Sequence, residues 1–101
     1  MSELYWLLCG HFLGDYVFQS DWVAINKSRH TNKTPVHWGY VLTSHAVVHG
    51  VMVSLVTQNI WFGIAETVAH FVIDFGKCEN WYGIHVDQGL HGLCKIIWWI
   101  L

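Results

Sequence analysis

The chain has 101 residues, room for one domain (1–101), and only 12% of them are charged, against about 25% in ordinary soluble domains. Hydrophobic residues make up 53% and aromatics 16%, which excludes disorder, and a formal net charge of −2 without a basic stripe speaks against nucleic-acid binding. So few charges cannot coat a small globule, whose surface is large for its volume, and the composition points to an integral membrane protein.

The first apolar run covers Leu4–Phe18 and predicts a helix over about 3–20. Met1-Ser2-Glu3 ahead of it lacks the positive flank and the small-residue cleavage site of a signal peptide, so the run is expected to stay in the protein. The next segment, 20–36, holds Asp21, Asn26, Lys27, Ser28, Arg29, Asn32, Lys33 and the only proline, Pro35, and reads as a loop. Trp38–Thr57 predicts a helix over about 37–57, and Gln58-Asn59 a tight turn. Ile60–Phe75 and Val86–Leu101 predict helices over about 60–77 and 85–101, joined by a loop over 77–84. A membrane span needs about 20 mostly apolar residues, and with its flanks each run reaches that length. The expected fold is all-α, a four-helix transmembrane bundle in up-down-up-down order.

Tryptophans fall into two belts in this arrangement. Trp22, Trp38 and Trp81 lie at the end with the two longer loops, and Trp6, Trp61, Trp98 and Trp99 at the other. Amphipathic indoles favour the headgroup region at each face of a bilayer. Lys27, Arg29, Lys33 and Lys77 all fall at the first end, so the positive-inside rule puts loops 20–36 and 77–84 in the cytoplasm. Both termini then lie outside, in a multi-pass protein of the inner membrane. Cys9, Cys78 and Cys94 form no C-x-x-C pair and read as small apolar side chains.

Every span also carries a pair of ionisable residues four apart: His11/Asp15, His45/His49, His70/Asp74 and Asp87/His91. Such spacing places both side chains on one helical face, one turn apart, as metal-binding helices require. In an antiparallel bundle the four pairs meet at one depth, in the cytoplasmic half. The segments also repeat: His11-Phe-Leu-Gly-Asp15-Tyr parallels His70-Phe-Val-Ile-Asp74-Phe, and Trp22 and Trp81 each follow by eleven residues. Two pseudo-repeated helical hairpins would frame a pseudo-two-fold site. Five imidazoles and three carboxylates without thiolate suit one or two divalent ions, zinc first, then manganese or iron. A polar core or proton relay without metal is the alternative. Glu66 lies one turn outward of His70, and Lys95 one turn outward of His91, so a buried ion pair is expected between them. His30 reads as a solvated loop residue.

The strings His11–Trp22 (HFLGDYVFQSDW), His45–His49 (HAVVH), His70–Lys77 (HFVIDFGK) and Asp87–His91 (DQGLH) resemble a domain-of-unknown-function family. Its members are small multi-spanning proteins from bacteria and their phages. The resemblance covers nearly the whole chain and implies a helical membrane protein with these eight His and Asp positions as its signature, but no reaction. A looser similarity exists to membrane-bound metal-dependent hydrolases.

The function expected from these residues is a membrane-embedded metal-dependent hydrolase acting near the cytoplasmic leaflet. Asp15, Asp74 or Asp87 would be the general base, and the metal would activate the attacking water. Two alternatives stay open: a non-catalytic metal-stapled protein that binds another membrane protein, and a core that handles protons or ions. The expected partners are the lipid bilayer and a membrane protein, not nucleic acid.

Overall fold

The structure, a computed structural model, describes residues 2–101. Helix α1 (Ser2–Phe12) runs without a break into a single π-helical turn over Leu13–Val17. It is followed by α2 (Asp21–Asn26), α3 (Trp38–Thr57), α4 (Ile60–Cys78) and α5 (Ile84–Ile100), with no strand among the described residues. The long helices close a ring in which α1 and α4 each pack against both α3 and α5, and α2 rests on α3.

The boundaries follow from local chemistry. Gln58, in the left-handed region at φ 53°, stops α3, and the Asn59 side chain accepts the Trp61 N–H to start α4. In the π turn the Phe18 N–H reaches back five residues to the Leu13 carbonyl at 2.8 Å. Helical backbone ends there, short of the predicted residue 20, because Ser20 caps α2 through its hydroxyl.

The segment 20–36 is not the open loop that its composition predicts. Besides α2 it holds a network centred on Asn26, whose amide donates to the Trp22 carbonyl and whose Oδ1 accepts from the Lys33 N–H. Asn32 donates to the Asn26 carbonyl, and Asn26, Lys27 and Ser28 are buried. Six helical residues are too few for a hydrophobic period to show in a sequence. Lys27, read from the sequence as a cation of a polar loop, turns into the bundle.

Helices α3 and α4 meet through glycine. A β-carbon on Gly50 or on Gly63 would lie 2.7 Å from the other residue's carbonyl oxygen, and would strike the hydroxyl of Thr67 or Ser54 respectively. Small residues at four-residue spacing on each helix let the two backbones approach this closely.

The interior is polar. Leu7, Val41, Leu42, Ala46 and Val53 are the buried hydrophobic residues, outnumbered by buried His, Asp, Glu, Lys, Asn and Ser. The outer faces are apolar, with Val51, Leu55, Ile60, Trp61, Val68, Val72 and Leu93 exposed. Among the described helices, α3 alone is long and apolar enough to cross a membrane by length and composition, with 20 residues and a mean hydropathy of 1.4. In α4 the interior Glu66 and Asp74, together with Lys77, lower that mean.

Candidate metal centre

Asp15 is the hub of the polar interior. It sits in the π turn, where its Oδ1 lies 3.0 Å from His49 Nε2, 3.3 Å from His45 Nε2 and 3.7 Å from His70 Nε2. Its Oδ2 lies 3.4 Å from His11 Nε2. Imidazoles from α1, α3 and α4 thus converge on one carboxylate, and the fifth, His91 of α5, stacks on His70 with ring centroids 4.2 Å apart. His49 stacks on the other side of the cluster, 3.8 Å from His70. Gly14 makes room for this, since the His49 ring lies where a side chain at residue 14 would begin.

Asp74 and Asp87 occupy two further corners. Asp74 Oδ2 lies 3.6 Å from His45 Nε2 and 4.0 Å from His70 Nε2, and it accepts a hydrogen bond from Lys27 Nζ at 2.8 Å. Asp87 Oδ1 lies 3.3 Å from His91 Nε2. Gln88 ties the corners together: its Nε2 donates to Asp15 Oδ2 at 2.9 Å and to Asp87 Oδ2 at 3.1 Å, and its Oε1 meets His11 Nε2 at 2.9 Å. On the far side, Lys95 Nζ donates to Glu66 Oε1 at 2.5 Å and Trp98 Nε1 to Glu66 Oε2 at 2.7 Å. Glu66 Oε1 also lies 3.7 Å from His70 Nδ1, so the ion pair abuts the histidine layer.

The structure therefore brings His11, Asp15, His45, His49, His70, Asp74, Asp87 and His91 into one cluster. His30 stands apart in the segment after α2, half exposed, with its Nε2 2.9 Å from Glu79 Oε2. Three members escaped the sequence reading. Gln88 carries no charge, though it adjoins Asp87 in the D-Q pair. Lys27 and Gln19, joined at 2.6 Å, reach the cluster only because the chain folds back after the π turn.

These residues can hold a metal ion. One ligand atom from each of His11, Asp15, His49 and His70 lies within 4.8 Å of the others, as does one from each of His45, His70 and Asp74. Glu66, His70 and His91 form a third such group, and Asp15, Asp87 and His91 a fourth. Tetrahedral ligands at about 2.0–2.1 Å from zinc stand about 3.3 Å apart, close to the separations around Asp15. Fit is also shown by what lacks a partner. His49 Nδ1 and Nε2, His70 Nδ1 and Nε2, His45 Nε2 and Asp87 Oδ1 are buried without an aligned hydrogen bond among the described residues. Each such group costs about 1–3 kcal/mol, so a cluster of them calls for an occupant.

A family model matches residues 4–101 of this sequence. The chain belongs to DUF3307, a family of proteins of unknown function. The match takes in all eight clustered His and Asp residues of this DUF3307 protein. No curated protein and no solved structure matches the chain.

Proposed function

We propose that this DUF3307 protein is a membrane-embedded His/Asp metalloprotein that hydrolyses a substrate reached from the end bearing loops 20–36 and 77–84. The observation that carries this reading is the set of partnerless imidazole nitrogens gathered around Asp15.

Membrane embedding is supported by the inverted distribution of side chains. In water the exposed apolar faces would be an aggregation hazard, whereas in lipid they are solvated and the ionisable groups face the bundle interior. The long axis of 41 Å is comparable with a bilayer including headgroups, about 40–45 Å. The two similar hairpins suit insertion as an up-down-up-down bundle, with the cytoplasm at the end of the longer loops.

His11, Asp15, His49 and His70 would hold the metal, zinc first by donor set and manganese or iron next. A bound divalent ion supplies Lewis acidity toward an ester or phosphoryl oxygen and toward water. The chain provides the rest. A cavity of about 30 Å³, room for one water, is bounded by Asp15, Asp74, Asp87, Gln88, Lys27 and Lys77 on the loop side of the cluster. Asp74 is committed to Lys27 and Asp15 to the imidazoles, which leaves Asp87 as the general base among the three carboxylates. Its partnerless Oδ1 would accept the proton, while Gln88 fixes Oδ2. Lys27 is neutralised by Asp74, which leaves Lys77 as the cavity's contact for an anionic substrate such as a lipid phosphoester.

The cavity's small size favours a second reading, in which the metal only staples the bundle and its surface binds another membrane protein. One experiment separates the two. Protein purified in mild detergent is analysed for metal, then assayed on a chromogenic phosphodiester beside Asp87→Asn. The hydrolase reading expects bound metal in both and at least a 100-fold loss of turnover in the variant. Metal without turnover in the parent leaves the staple, and absence of metal overturns both.

A further inference from the structure

We infer that the centre takes a single divalent ion, at His11, Asp15, His49 and His70, and that Lys27 supplies the positive charge a second ion would otherwise bring. The inference rests on the metal reading above and decides the ion count, which the ligand inventory leaves at one or two.

Ligand sharing is the first argument. His70 Nε2 faces both Asp15 and Asp74, at 3.7 and 4.0 Å, and one imidazole nitrogen has one lone pair to give. The His45–His70–Asp74 group therefore competes with the first for His70. Its only carboxylate is already engaged by the Lys27 ammonium at 2.8 Å, in a buried pair that Gln19 completes. The group of Glu66, His70 and His91 has the same double defect, since it shares His70 and its carboxylate is held by Lys95. The group of Asp15, Asp87 and His91 would need Asp15 to bridge, and its second oxygen, Oδ2, already accepts from Gln88 and faces His11.

Charge balance is the second argument. The layer contains four carboxylates, Asp15, Glu66, Asp74 and Asp87, and two buried ammonium groups, Lys27 and Lys95, with Lys77 only partly buried at its edge. With neutral imidazoles, as metal ligation requires, two negative charges are left over. One divalent ion cancels them. Two would leave the low-dielectric interior with two excess positive charges, which burial penalises heavily.

Metal content per chain tests this directly. The parent, Lys27→Met and Lys27→Arg are equilibrated with excess zinc in mild detergent, desalted and counted by mass spectrometry. One ion is expected in the parent and in Lys27→Arg, and a second in Lys27→Met, held by His45 and the released Asp74 while His70 stays with the first. Two ions in the parent, or one in a folded Lys27→Met, overturn the inference while leaving the metal centre intact. No ion in the parent removes the metal reading itself. The pairwise variant Lys27→Met/Asp74→Asn leaves no buried charge unpaired, which keeps the test open if Lys27→Met fails to fold. It should retain one ion, because Asp74 is not a ligand of the occupied site. Loss of that ion overturns the inference.

Discussion

The ring of His49 lies against the backbone of Gly14, where a β-carbon would stand 2.6 Å from both Cε1 and Nε2. Residue 14 belongs to the π turn that also presents Asp15, so one turn positions the hub carboxylate and opens the slot for its nearest imidazole. Single π turns inside α-helices occur often at functional sites. Gly14→Ala should push His49 away from Asp15. The expected outcome is a loss of about 1–3 kcal/mol in stability, as for other overpacked interiors, together with reduced metal content. Thermal unfolding in detergent and metal counting on the same sample check both.

Glu66 and Lys95 form an ion pair sealed between α4 and α5, with each residue 1% exposed. Glu66→Gln leaves the Lys95 ammonium without a countercharge and weakens the acceptor of Trp98. Breaking one partner of a buried pair costs about 3–5 kcal/mol. The double variant Glu66→Gln/Lys95→Met should recover most of that loss, because it leaves no charge unpaired. A double variant as unstable as Glu66→Gln alone would show that packing, not charge, dominates at this site.

Metal affinity should depend on pH with a definite sign. Imidazole binds metal only when neutral, so affinity falls as pH drops and protons compete with the ion for the ring nitrogens. His49→Ala should lose the ion at neutral pH. His30→Ala should keep it, since His30 faces Glu79 and not the cluster. Metal titrations of the three proteins between pH 5 and 8 give the comparison.

Two loops are joined by Arg29, whose guanidinium donates to both oxygens of Glu79, at 3.0 and 2.9 Å from Nε and 2.5 Å from Nη2. Hydrogen bonding and attraction from this guanidinium hold the Glu79 carboxyl below its ordinary range. A depressed folded-state pKa means that the contribution is present above the unfolded value, about 4.3, and is lost as pH falls through the lower folded value. The stability difference between the parent and Glu79→Gln should therefore be seen at pH 6 and shrink as the pH is lowered beneath the ordinary carboxylate range. A difference that persists unchanged in acid would exclude the carboxylate as its source.

Topology can be read by alkylation. In a background with Cys9, Cys78 and Cys94 replaced by serine, single cysteines at the exposed positions Lys33 and Gln58 should label from opposite sides of the membrane. Labelling of both from one side would contradict the up-down-up-down insertion.

Much of this architecture is local in origin and therefore legible in residue order. The helical period puts His11 over Asp15 and His45 over His49 whatever they pack against, because residues four apart share a face. Depth is equally local: Glu66 and Lys95 each lie one turn from a cluster histidine, so antiparallel packing suffices to bring them together. The apolar runs, the Asn59 cap and the sparse charge needed no tertiary knowledge either.

Other features exist only through contact between distant segments. The π turn depends on one backbone hydrogen bond, from Phe18 to Leu13, that no periodicity announces. Gly14, Gly50 and Gly63 look like ordinary small residues until a ring or a neighbouring backbone occupies the space that they leave. The sequence repeat relates Asp15 to Asp74, yet the fold makes them unequal: Asp15 gathers imidazoles, and Asp74 takes the ammonium of Lys27. A charged side chain in a polar segment reads as solvated by default. Lys27 departs from that because the chain, reversed by the π turn and α2, brings it within 2.8 Å of a buried carboxylate 47 residues away. Helical geometry thus grouped the candidate ligands from sequence alone, and only the tertiary structure decided which of them already have a cation.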